Sequence, residues 1–194
     1  MYMSILSRDF YVRDPLAVAR DLIGKQLVST IHGKRVAGII NETEAYDGEQ
    51  DLACHARSGK TQRNAVMYGT GGVAYVYFTY GMHWMFNCVA REKDHPAAVL
   101  VRAIKPTEGI DIIRSIREPI KPSHWCDGPA KLTRSLGITG EHNGSDLCSD
   151  TSPILIEDKL KIPDNLVQAT PRIGINYTPE PWKSMPWRFI ADLS

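Results

Sequence analysis

Residues 26–30 (QLVST) and 36–46 (VAGIINETEAY) are two strand-forming runs on either side of His32-Gly33-Lys34. Glycine at such a turn supplies the positive φ that a tight reversal needs, so the two runs are read as a β-hairpin. A second pair follows, residues 73–79 and 83–90 around Tyr80-Gly81-Met82. Adjacent hairpins point to a largely antiparallel sheet, since a tight turn can join only antiparallel strands.

Helices are fewer and short. Residues 14–24 open on Asp14-Pro15, with an acid at the N-cap and proline at the first helical position; Leu16, Ala19, Leu22 and Ile23 are apolar, and Gly24 marks the stop. Residues 107–117 place Ile110, Ile113 and Ile116 at helical spacing, and residues 128–137 run from Gly128-Pro129 to Leu136-Gly137. Residues 98–104, 154–156, 172–176 and 188–190 read as further strands. The expected class is therefore α+β: one compact domain over residues 1–194 with a largely antiparallel sheet flanked by short helices. At 194 residues and 43% hydrophobic content the chain can bury a substantial core, which excludes disorder and dependence on disulfides. Cys54, Cys88, Cys126 and Cys148 lie more than twenty residues apart, so no CxxC pair is available for zinc or redox exchange. The first residues, MYMSILSRDFYVRD, lack the apolar core of a signal peptide, and no run approaches a membrane span. A cytoplasmic protein, or a nuclear one in a eukaryote, is expected, neither secreted nor held by a membrane.

Residues 47–72 are polar and glycine-rich, too long to be a simple connection, and loops of that length are commonly functional or disordered. Just before them, period two along residues 40–46 puts Ile40, Glu42, Glu44 and Tyr46 on one face of a strand. Two carboxylates about 7 Å apart between apolar neighbours can make a general base. The same residues also fit a solvated strand end, or a metal site shared by Glu42, Glu44 and His55. Arg102 interrupts the apolar run VLVRAI, where a guanidinium needs a carboxylate or an anionic ligand; one of the two glutamates is the expected partner. Residues 42–51 hold five acids and no base, whereas residues 57–64 hold Arg57, Lys60 and Arg63 and no acid. The hydroxyl, amide and basic groups of the second run suit phosphate contacts. Lys131 lies in the first turn of a short helix, where backbone N–H groups favour an anion. Tyr75 and Tyr77 share a strand face with Thr79, while Tyr80 stands at the turn, either folded onto the core or free to insert between bases.

Taken in order, ETEAY at 42–46, TQRN at 61–64, YVYFTYGM at 75–82, Asn87, AVLVRA at 98–103, GPAKL at 128–132 and PRIGI at 171–175 resemble the alkyladenine (3-methyladenine) DNA glycosylase family. The likeness runs over nearly the whole chain. It implies a curved sheet with a protruding hairpin that enters DNA, and a monofunctional enzyme without lyase activity. Such an enzyme flips 3-methyladenine, 7-methylguanine, hypoxanthine or ethenoadenine from duplex DNA and hydrolyses the N-glycosidic bond. The resemblance makes Glu44 the base for the attacking water, with Arg102 and the carbonyl of Ile173 positioning that water. Tyr46, His55 and Tyr77 become the stacking pocket, Asn87 the amide that disfavours normal guanine, and Tyr80 the intercalating residue. Arg57, Lys60, Arg63 and Lys131 then meet the DNA backbone. No metal or cofactor is implied; the partner is double-stranded DNA, and a monomer is expected. Gln62 in place of the family's usual proline and the segment CVAREKDHP at 88–96 depart from the pattern. The net charge of +1 is then read as the sum of an acidic pocket and a basic DNA-facing rim, giving salt-sensitive non-specific binding. The rivals are a non-catalytic nucleobase-binding module and the metal-dependent hydrolase using Glu42, Glu44 and His55.

Overall fold

The computed structural model describes residues 4–193. Helices α1 (Arg8–Tyr11) and α2 (Pro15–Leu22) precede strands β1 (Gln26–Ile31) and β2 (Lys34–Asp47). After a long loop come β3 (Ala74–Thr79), β4 (His83–Val89) and β5 (Ala97–Glu108), then α3 (Ile110–Arg117) and α4 (Pro129–Ser135). Short strands β6 (Ile154–Glu157), β7 (Val167–Thr170) and β8 (Arg188–Ala191) complete one antiparallel sheet in the order β3-β4-β5-β2-β1-β6. β8 pairs with β2 beyond the end of β1 and carries β7 on its far side. The α+β class and both hairpins stand as expected. Residues 172–176, expected as a strand, form an irregular loop that turns at Gly174 (φ +81°). The helix expected from residue 107 starts at Ile110, because β5 continues through Glu108.

The main core lies between one sheet face and the helices. Asp14 accepts hydrogen bonds from the Leu16 and Ala17 amides, an N-cap that contributes about 1 kcal/mol. It launches α2 with Val18, Ala19 and Leu22 turned onto Val36, Ile40, Ala45, Val99 and Val101. Each fully buried aliphatic side chain contributes about 1.5–3 kcal/mol. Thr43 also faces this layer, donating to the Ala19 carbonyl at 2.8 Å.

Two slips of register decide what the opposite face carries. Ile40 pairs with Ile104 but Glu42 with Ala103, leaving Asn41 as an extra residue on β2. Thr43 then pairs with Val101, leaving Arg102 extra on β5. Each extra residue inverts the alternation of its strand. Ile40 therefore belongs to the main core with Ala45, and not to the face of Glu44 and Tyr46 where strict period two puts it. On β5, likewise, Val99, Val101 and Ile104 are core residues, while Ala98, Leu100 and Arg102 line a cavity on the other side.

The loop 48–73 covers that second face. Cys54, Ala56, Met67 and Tyr68 pack on Tyr75, Val89 and Ala98. Asn64 pins the loop: its Oδ1 accepts from the Thr61 amide and its Nδ2 donates to the carbonyls of His55 and Gly59. Asn64 is thus buried and structural, unlike the phosphate contact that composition allowed.

Gly109 joins β5 to α3 at φ +67°, and a Cβ there would lie 2.7 Å from the Arg35 carbonyl oxygen and against Val36. Backbone strain and overlap act together, so Gly109→Ala is expected to destabilise by about 2 kcal/mol or more. A urea midpoint unchanged from wild type would contradict this.

Candidate active site

A cavity of about 400 Å³ opens between the sheet and the covering loop, a size suited to a small planar ligand. Tyr46, His55, Tyr75 and Tyr77 form its aromatic wall, Asn87, Leu100 and Arg102 its floor, and Ile173 and Tyr177 one lip. His55 packs edge-on to Tyr77 at 4.5 Å between ring centres, and its Nδ1 lies 3.0 Å from the Tyr75 hydroxyl. Asn87 is buried and donates to the Tyr75 carbonyl, which fixes its amide.

Glu44 stands immediately behind this wall with no solvent exposure. Its Oε1 accepts from the Ile173 amide at 2.6 Å; its Oε2 accepts from the Tyr46 hydroxyl at 2.8 Å and from Arg102 Nη1 at 3.2 Å. A carboxylate offers about four acceptor positions, so three donors leave one unfilled. Burial, and then the charge of Glu44, raise Tyr46 well above the usual phenol range, so its hydroxyl stays protonated and donates. Arg102 reaches both glutamates rather than one, giving Nε to Glu42 at 2.8 Å. Burial works against its charge, but Glu44 and Glu42 outweigh burial and its pKa lies above the ordinary guanidinium value. Arg188 also donates to Glu42, at 2.7 Å.

Two acids facing two guanidinium groups make this cluster electrically balanced, a correction to the acidic pocket inferred from the run 42–51. The other acids of that run find partners too: Asp47 holds Arg91 through both oxygens, Glu49 accepts from the Tyr68 hydroxyl, and Asp51 pairs with Arg172. Local sequence offers no base, but an unpaired carboxylate is too costly to bury, so distant residues supply the partners. Glu42 is turned to two arginines and His55 to Tyr75, so these residues do not converge with Glu44 on one metal position. Among the described residues no group of three His, Cys, Asp or Glu is arranged to hold a metal ion.

The β3–β4 turn projects beside the cavity. Tyr80 (φ +52°) and Gly81 (φ +67°) both take positive φ, and Met82 donates to the Thr79 carbonyl. Tyr80 is 83% exposed, so it is not folded onto the core; Phe78 and Met82 are exposed with it. Arg63 lies over the Tyr77 ring and donates to the Phe78 carbonyl, and Arg57 lies over the Tyr177 ring. Lys60 sits above Tyr68. Among the described residues Lys131 differs from the other three cations in having a carboxylate partner, Asp127 at 2.8 Å. Sequence reasoning placed Tyr75 on the right strand face without assigning it to the pocket. Tyr177 it missed, because the loop that brings it to the cavity was read as a strand.

Burial first, then the charges of Arg63 and Arg57, lower the His55 pKa from 6.5 to about 4. His55 is therefore neutral at physiological pH, as suits a surface stacking on a cationic base. Between pH 6.5 and 4 the unfolded chain binds a proton at this residue that the folded protein does not. The contribution of His55 to stability is thus intact above pH 6.5 and declines as pH falls to about 4. Thermal melts of His55→Gln across this range are expected to show a shallower loss than wild type; identical slopes would argue against the lowered value.

A family model described as methylpurine-DNA glycosylase matches residues 9–194. A protein of Methanocella arvoryzae named "Putative 3-methyladenine DNA glycosylase" is 46% identical over 188 residues, covering 96% of this chain and 92% of its own length. Proteins of the same name from Chlamydia felis and Myxococcus xanthus are 45% and 44% identical, covering 97% and 96% of this chain and 97% and 89% of their own lengths.

Proposed function

The chain belongs to the methylpurine-DNA glycosylase family, a family of DNA-repair enzymes, and on that premise we propose that it hydrolyses the N-glycosidic bond of damaged purines flipped from duplex DNA. The observation that supports this most is the buried carboxylate of Glu44, held by three donors directly behind an aromatic cavity. Such a group has no use in a module that only binds a base.

The purine enters between Tyr46, His55 and Tyr77, whose π faces favour an electron-poor or cationic ring. The C1′–N9 bond breaks with its electron pair going to the base, leaving positive charge on the sugar. Glu44 stabilises that charge, and its free acceptor position takes the proton as water oxygen bonds to C1′. Arg102 orients Glu44, while Glu42 and Arg188 complete the charge balance around it. A cationic 3- or 7-methylpurine leaves as a neutral base and needs no proton donor. Asn87 at the cavity floor is positioned to crowd the 2-amino group of guanine. No lysine lines the cavity among the described residues, so the water-mediated route is preferred to an amine nucleophile and strand scission by the protein is not expected. Tyr80, with Arg57, Lys60 and Arg63 on the covering loop and Lys131 on α4, makes the DNA contact.

Duplexes with one hypoxanthine or one ethenoadenine, incubated with the protein and then cleaved by alkali, test this reading. Alkali-dependent scission at the lesion, unaffected by a chelator, is expected. Binding without scission would favour the nucleobase-binding module, and activity lost to the chelator would favour the metal-dependent hydrolase.

A further inference from the structure

Two of the three donors to Glu44 come from the sheet itself, Tyr46 on β2 and Arg102 on β5. The third, the Ile173 amide, comes from the irregular loop between β7 and β8, where no ladder of hydrogen bonds holds it. The residue before it is anchored unusually. Arg172 donates from Nη1 to Asp51 Oδ2 at 2.6 Å and from Nη2 to Asp51 Oδ1 at 2.9 Å, and both side chains have zero exposure. Nη1 also reaches the carbonyl of Ala45, which lies between Glu44 and Tyr46 in the chain. The guanidinium also lies over the Tyr46 ring at 4.7 Å and over the Trp187 ring at 4.9 Å. Asp51 in turn accepts from the amides of Asp47, at the end of β2, and of Ala53, on the loop that carries His55.

We propose that the Asp51–Arg172 pair is a positioning device for base release, holding the Ile173 amide on Glu44 and the Tyr46 ring at the cavity wall. Neither residue lines the cavity, so neither touches substrate. A buried ion pair is a poor means of stabilisation, because desolvation offsets its attraction and apolar replacements of similar size commonly match it. What this pair does supply is geometry: one planar, bidentate contact joins the Glu44 strand, the His55 loop and the Ile173 loop. Its loss lets the amide drift from Glu44, and a displacement of about 1 Å can cost about 100-fold in rate.

The inference rests on the proposed glycosylase reading, and two variants test it. Arg172→Lys keeps the charge but not the planar fork. Asp51→Asn with Arg172→Met removes both charges together, so neither is left buried alone. Three quantities are read: single-turnover purine release per folded molecule, affinity for a duplex carrying a stable abasic-site analogue, and hydrogen exchange of the Ile173 amide. Arg172→Lys is expected to release purine about 100-fold more slowly, with affinity within about threefold of wild type and a faster-exchanging Ile173 amide. The neutral double variant is expected to melt near wild type yet remain slow. A purely structural pair predicts instead that rate recovers with stability, and that result would overturn the proposal, as would a wild-type rate in Arg172→Lys. If Arg172→Lys does not fold, the double variant decides alone. A wild-type protein that releases no purine defeats the glycosylase reading itself, which separates the two failures.

Discussion

Glu44→Gln is expected to lose purine release by on the order of 10³-fold while still binding lesion-containing duplex. The glutamine keeps the shape and one carbonyl oxygen, which can still accept from the Ile173 amide. It cannot take a proton from water, and its NH₂ faces Arg102 and the Tyr46 hydroxyl, both of them donors. Affinity is expected to survive because Glu44 stands behind the cavity wall, and because Arg102 retains Glu42 as counter-ion at 2.8 Å. The lost contacts should lower stability by about 1–3 kcal/mol, too little to unfold a typical domain. Single-turnover release by Glu44→Gln within tenfold of wild type would remove Glu44 from the role of base.

Tyr80→Ser is expected to impair flipping with almost no effect on stability. An 83% exposed side chain has little packing to lose, so the melting temperature should stay within the scatter of surface variants. On the proposed reading the ring fills the gap left by the extruded nucleotide, and a base–aromatic stack is worth about 1–3 kcal/mol, or roughly 10- to 100-fold in the flipping equilibrium. The fluorescence change of an ethenoadenine duplex on binding should fall accordingly, and Tyr80→Phe, which keeps the ring, should preserve it. Equal signals from the serine variant and wild type would show that Tyr80 does not occupy the gap.

Much of the site was legible from local pattern. The tyrosines of YVYFTY alternate, and the structure puts Tyr75, Tyr77 and Thr79 on the cavity side and Val76 in the core. Period two also brings Glu42 and Glu44 together beside an arginine that needs a carboxylate. It fails at Ile40, since an extra residue in a strand is visible only against the partner strand; Asn41 is a bulge because of how β2 meets β5. Residues 172–176 (RIGIN) were read as a strand because isoleucines alternate there. Their arginine is engaged by Asp51, 121 positions away, and that long-range contact overrides local preference.

Charge marks the division most clearly. The sequence alone determined that acids are concentrated at 42–51 and bases at 57–64, that strands alternate with tight turns, and that an ordered series of motifs matches one glycosylase family. Only the tertiary structure decided which charges cancel. Glu42, Glu44, Asp47 and Asp51 pair with Arg102, Arg188, Arg91 and Arg172, all remote in the chain, so an acidic stretch folds into a balanced site. The physical reason is desolvation: burying a carboxylate requires a partner, and which one meets it is a property of the assembled sheet and loops, with no trace in neighbouring residues.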